Sequence, residues 1–164
     1  LSLLDIKEAW LDRGRGALPG TPPPLEFRAL EAALDRLEAE GLAARIARHQ
    51  KAARASRAGL RALGITPWIV DDARASALVT AAPVPEGITA DDLIAAAARF
   101  GVALGRGFGT IEDRLVRFDH TGIRAAFPPV LANVVAYGAA LQALGRDVDL
   151  GAAAVAVTAA WQED

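Results

Sequence analysis

A chain of 164 residues with 18 Lys+Arg against 20 Asp+Glu has the size of one common domain and a formal net charge of −2. Its 52% hydrophobic content excludes disorder, and its charge balance excludes a surface that is basic all over. The absence of cysteine removes a disulfide scaffold, a thiolate zinc site and a thiol nucleophile together, and leaves the cytoplasm as the default compartment.

Much of the hydrophobicity is alanine. The longest apolar stretches, 93–104 and 151–161, are broken by Arg99 and Thr158 and fall short of the ~20 strongly apolar residues of a membrane span. The opening LSLLDIKEAW has neither the basic start nor the small-residue cleavage site of a signal peptide. With no methionine anywhere, the chain is expected to be a piece of something larger.

In chain order, residues 4–12 predict a short helix anchored by Leu4 and Trp10. The glycines and prolines of 14–24 forbid regular structure and predict an extended connector, stiffened by Pro22, Pro23 and Pro24 before the next helix. From Leu25, apolar residues recur at Phe27, Leu30, Leu34 and Leu37 as one helical stripe. Gly41 interrupts it. A second stripe runs Leu42, Ile46, His49, Ala53, Ser56, Leu60 and Leu63, with Gly64 where a C-cap belongs.

The period then changes. Residues 65–70 and 77–81 read as short strands split by the acidic turn Asp71-Asp72. Thr89 is placed to cap a helix whose first turn carries Asp91 and Asp92 and which runs to about Phe100. Residues 102–104 and 115–118 read as further strands joined by the glycine-rich GRGFGTIEDR. Pro128-Pro129 opens a helix to about Leu144, and Asp149 caps a last one. The expected fold is α+β: a small, mainly antiparallel sheet covered on one side by helices. Residues 1–24 form an interface arm and 25–164 the domain proper.

Several residues invite chemistry. His49 and His120 lack partners at ligand spacing, so no metal site is expected; His49 falls on a buried stripe, where an imidazole bonded to backbone is the ordinary outcome. The run Arg45, Arg48, Lys51, Arg54, Arg57 and Arg61 can track phosphates, but no aromatics interleave for base stacking. It reads instead as a solvated face balancing Glu31, Asp35, Glu38 and Glu40, and no nucleic-acid partner is expected. The G-x-G-x-G run of Gly105, Gly107 and Gly109 lacks the spacing of a dinucleotide loop and reads as a tight turn. Arg117 stands out within the apolar alternation of 115–119, because a guanidinium there needs a planar anion: Asp119 or another carboxylate of the fold, or the carboxylate of a ligand.

The order of Thr21-Pro22-Pro23, the paired helices, Leu78-Val79-Thr80, Val84-Pro85-Glu86-Gly87 and GRGFGTIEDRLVRFDHTG resembles the C-terminal small domain of class V aminotransferases of the alanine/serine–glyoxylate type. These are fold-type I enzymes that use pyridoxal 5'-phosphate (PLP). The similarity reaches to about Gly145, and Leu4-Asp5-Ile6-Lys7 looks like the segment soon after the Schiff-base lysine.

The resemblance implies that Arg117 holds the substrate α-carboxylate. It implies that Thr21 reaches the PLP phosphate of the neighbouring subunit of a homodimer, and that Gly107 and Gly109 form the turn before the arginine strand. Leu18, where relatives often carry an aromatic hydroxyl, Arg106 in place of a common glycine, and Asp119-His120-Thr121-Gly122 depart from the family pattern. The Schiff-base lysine is expected outside this chain, in an N-terminal PLP-binding domain, because neither Lys7 nor Lys51 has its context; no catalytic residue is assigned here. The implied function is part of a cytoplasmic enzyme that moves an amino group between a small amino acid and a 2-oxo acid such as glyoxylate or pyruvate. The alternative is a non-catalytic α+β module that binds a small ligand or a partner.

Overall fold

The computed structural model describes residues 2–16, 20, 21 and 23–163 and divides into two compact units, Leu1–Leu42 and Ala43–Asp164. Leu18 and Pro22 lie outside the described residues.

In the first unit, α1 (Leu3–Ile6) is capped by the Ser2 hydroxyl, which accepts from the Leu4 and Asp5 N–H groups. A π-helical turn, Lys7–Leu11, continues it. Lys7 pairs with Asp12 at 2.7 Å, and the Arg15 guanidinium lies 5.7 Å from the centre of the Trp10 ring. Helix α2 (Pro24–Glu40) starts on proline, whose missing N–H costs nothing in a first turn, and ends at Gly41 with φ +85°. The predicted stripe is present on α2, yet Phe27, Leu30 and Leu34 remain exposed.

The second unit is built on α3 (Leu42–Ala62), α4 (Ala90–Ala98), α5 (Phe127–Ala143) and α6 (Leu150–Gln162). Its sheet has three antiparallel strands in the order β1 (Val79–Pro83), β3 (Leu115–Asp119), β2 (Gly105–Arg106). This is the α+β architecture expected from the sequence. Thr80 stands opposite Phe118 and Ala82 opposite Val116, and these four form the buried face. The Phe118 ring meets Tyr137 of α5 edge-on at 5.2 Å, and the Tyr137 hydroxyl donates to Pro83 O at 3.3 Å. The other face carries the row Ala81, Arg117, Gly105.

Two expected strands are absent. Residues 65–70 are irregular because Pro67 has no N–H for a ladder, and the segment makes one sheet-like bond, Trp68 N–H to Ala81 O at 2.9 Å. Val102 and Leu104 are buried in the core without ladder pairing, and the strand forms only at Gly105–Arg106. The helix starts agree with the sequence: Thr89 Oγ1 accepts from Asp92 N–H at 3.1 Å, and Asp149 accepts from Ala152 N–H at 2.9 Å.

The basic run on α3 is not a solvated face. Arg48 donates to Gly122 O and Ala125 O, Arg54 to Glu163 O, and Arg57 and Arg61 share Asp72 at 2.8 and 2.7 Å. Arg57 is only 5% exposed, and the Lys51 ammonium lies over the Trp161 ring at 6.0 Å. Long side chains that lie along a neighbouring surface can bury their stems there while their heads find carbonyls and a carboxylate. The acidic turn therefore serves as an anchor: Asp72 fastens the 65–78 loop to α3, and the Arg61 bond together with Arg57 holds its carboxyl below the usual range.

Small residues allow α3 to pack closely. A Cβ at Gly59 would lie 2.6 Å from Val157 Cγ2 and 2.7 Å from Val134 Cγ1, on β-branched side chains with little freedom to yield. Gly59→Ala gains about 1 kcal/mol of helix propensity but overpacks the core at a cost of about 1–3 kcal/mol. The difference is a net loss of up to about 2 kcal/mol, read as a lower urea midpoint with unchanged m-value.

Candidate functional site

The sheet places Arg117 at the centre of β3, with Ala81 opposite on β1 and Gly105 opposite on β2. Its Nε–H donates to Arg106 O at 2.6 Å, and its Cζ lies 4.0 Å from the centre of the Phe108 ring. Gly105 lets the guanidinium lie flat against the strand: a Cβ there would stand 3.1 Å from Nη2 and 3.4 Å from Cζ. Asp119, the nearest carboxylate in sequence, is not its partner. Asp119 pairs with Arg124 at 3.3 Å and accepts from Thr121 N–H at 2.9 Å. Among the described residues Arg117 forms no ion pair, and neither Nη donates a hydrogen bond. A guanidinium fixed through Nε and uncommitted at both Nη atoms presents the planar fork that matches a carboxylate.

The turn before β3 is set by backbone contacts. Gly107 donates to Glu112 O and Leu115 O, each at 3.2 Å, and a Cβ on it would collide with the Ile111 carbonyl and lie 2.9 Å from Glu112 Cα. Gly109, at φ +56°, opens a 3₁₀ turn that any side chain would strain. Arg106 is spent structurally, paired with Asp113 and, at 3.2 Å, with Asp91. Thr21 belongs to the first unit and is exposed.

Both histidines are structural. The His49 ring bridges Arg45 O (2.7 Å from Nδ1) and the Gly122 N–H (2.9 Å from Nε2), which requires the neutral tautomer protonated on Nδ1. His120 is fully buried, with Nε2 at 3.0 Å from Thr80 Oγ1. No cluster among the described residues could hold a metal ion, and no helix among them is long and apolar enough to cross a membrane.

No protein-family model matches the chain. A pyridoxamine–pyruvate transaminase of Mesorhizobium japonicum is 38% identical over 152 residues, covering 92% of this chain and 38% of that protein. The crystal structure of pyridoxamine-pyruvate aminotransferase from Mesorhizobium loti superposes with a TM-score of 0.88 at 35% identity, over 97% of this chain and 40% of that one. Over nearly its whole length the chain is similar to class V aminotransferases. A Synechococcus protein named the small subunit of a soluble hydrogenase is also similar, 35% identical over 87% of this chain and 36% of its own length. The chain thus spans about two fifths of the length of these relatives.

The residues present do not by themselves fit the PLP of this aminotransferase family as a covalently held cofactor. An imine-forming lysine works from a desolvated pocket or beside another cation. Here Lys7 is exposed and paired with Asp12, and Lys51 stands on α3 beside Trp161. What the chain itself offers is the Arg117 fork. The sequence singles out Arg117 and the glycines but not the Phe108 ring or the Arg106 carbonyl that touch Arg117; an aromatic set between two glycines was the available signal.

Burial, with the positive Arg57 adding to it, pushes the His120 imidazole down to about 4. In the unfolded chain it takes up its proton near pH 6.5. Its contribution is therefore complete above pH 6.5 and is lost as the pH falls towards 4, by about 3 kcal/mol at the limit. Urea unfolding across this interval is expected to show that decline, and the non-titrating His120→Gln variant a smaller one.

Proposed function

We propose that this chain is the small domain and interface arm of a PLP-dependent aminotransferase, and that Arg117 holds the α-carboxylate of its substrate. The observation that carries the proposal is the geometry of Arg117: one donor fixed on Arg106 O, no ion pair among the described residues, and two terminal nitrogens on the exposed face of the sheet. The reaction moves an amino group between a small amino acid and a 2-oxo acid such as pyruvate or glyoxylate. The names of the relatives support that substrate class, since pyruvate is an acceptor in one and glyoxylate in others. An α-carboxylate is common to both half-reactions, so one clamp serves the amino acid and the oxo acid alike.

The remaining assignments follow from the family resemblance. Thr21 reaches the cofactor phosphate across a homodimer interface, and Gly107 and Gly109 shape the turn beside the clamp. Residues 1–24 lie as an arm on another domain or subunit; the exposure of Leu3, Leu4 and Leu11 supports this. The Schiff-base lysine belongs to a PLP-binding domain outside these residues, and the enzyme works in the cytoplasm.

Arg117→Lys keeps the charge and loses the planar fork. In the full-length enzyme, kcat/KM for amino and oxo acids is expected to fall by an amount equal to about 2–4 kcal/mol, the cost of truncating one side of a desolvated charge pair. PLP absorbance and the melting temperature should stay close to wild type. A large fall in melting temperature with unchanged kinetics would show that Arg117 is a structural cation.

A further inference from the structure

Phe108 is 71% exposed, so its ring adds little to the core, yet it stacks 4.0 Å from the guanidinium carbon of Arg117. Its backbone is extended, at φ −131° and ψ 148°, between Gly107 and Gly109. Gly107 is held by two backbone hydrogen bonds at a position with no room for a side chain, and Gly109 turns the chain through positive φ. The glycines thus fix the direction from which the ring leaves the turn.

We propose that Phe108 is a positioning residue for the carboxylate clamp, and that the task of the Gly107–Gly109 turn is to place its ring against Arg117. This rests on the reading of Arg117 as the carboxylate holder. Held by the Nε bond alone, the arginine would still turn about its side-chain torsions, and a substrate would have to immobilise it to bind bidentately. Ordering one such side chain costs about 0.5–1.5 kcal/mol. The ring, stacked on the cation, and the bare Gly105 strand lying along it hold the plane beforehand, so that substrate meets a fork already in position. The ring also keeps water from the face it covers, which strengthens the charge-assisted bonds to either substrate. Because the carboxylate takes no part in bond making, the benefit belongs to binding and appears in KM.

The test uses the full-length enzyme, with kcat and KM measured for pyruvate or glyoxylate and for the amino donor. Phe108→Ala is expected to raise both KM values by about 3- to 10-fold, with kcat changed by less than about twofold, the fold-change that corresponds to losing one pre-ordered side chain. Phe108→Leu, which keeps apolar area without the π-face, should resemble Phe108→Ala, whereas Phe108→Tyr recovers most of the loss. The proposal is overturned if Phe108→Ala leaves KM at the wild-type value while Arg117→Lys raises it; the clamp then stands without the ring. It is also overturned if kcat and the melting temperature fall together with no change in KM, the behaviour of a purely structural side chain. If Arg117→Lys itself leaves KM unchanged, the reading of Arg117 fails first and the role of Phe108 falls with it.

Discussion

One hydrogen bond organises the exposed face of the sheet: Arg117 Nε–H to the carbonyl of Arg106. It crosses from β3 to β2 and uses the donor that bidentate recognition of a carboxylate does not need when the two Nη atoms face the ligand. The antiparallel register makes the bond possible by setting Gly105 directly opposite Arg117, where any larger residue would press on the guanidinium. The short length of β2 follows the same logic. Two residues suffice to seat the arginine, after which Gly107 turns the chain away.

Behind that face, the domain is held by groups that look like surface charge in the sequence. The cations of α3 are distributed among the carbonyls after β3, the carbonyl of Glu163 and the carboxylate of Asp72, so that one helix ties both the 65–78 loop and the C-terminal end of α6 at Glu163. The buried Arg57 and the neutral His120 are near enough for the charge of one to resist protonation of the other. The core between the helices and sheet is dominated by alanine, followed by leucine and valine, with Phe118 and Tyr137 as its aromatic members. Such a core brings backbones close, and the contacts a Cβ would make at Gly59 and Gly138 measure how close.

Much of this was legible in the sequence where the signal is local. Thr89 and Asp149 announced their helices because a capping side chain reaches only its own first turn. Arg117 was legible because a cation breaks an apolar alternation, and His49 because it sits on a helical stripe. The rest depended on partners distant in the chain. Residues 65–70 have strand composition, but Pro67 and the anchoring of Asp72 to α3 leave them irregular. The α3 cations have the spacing of a solvated face, and only the fold brings Gly122, Ala125 and Glu163 within their reach. Phe108 passed as part of a glycine turn because nothing in its neighbours names the arginine, nine positions on, that it covers.

The central claim is that Arg117 recognises a substrate carboxylate with its two terminal nitrogens while its Nε stays on the Arg106 carbonyl. A crystal structure of the full-length enzyme with a bound substrate analogue that retains the α-carboxylate tests it directly. The account predicts both carboxylate oxygens at about 2.7–2.9 Å from Nη1 and Nη2, with the Nε bond to Arg106 O intact. A carboxylate bound by other residues, with Arg117 turned to an internal acid, would contradict it.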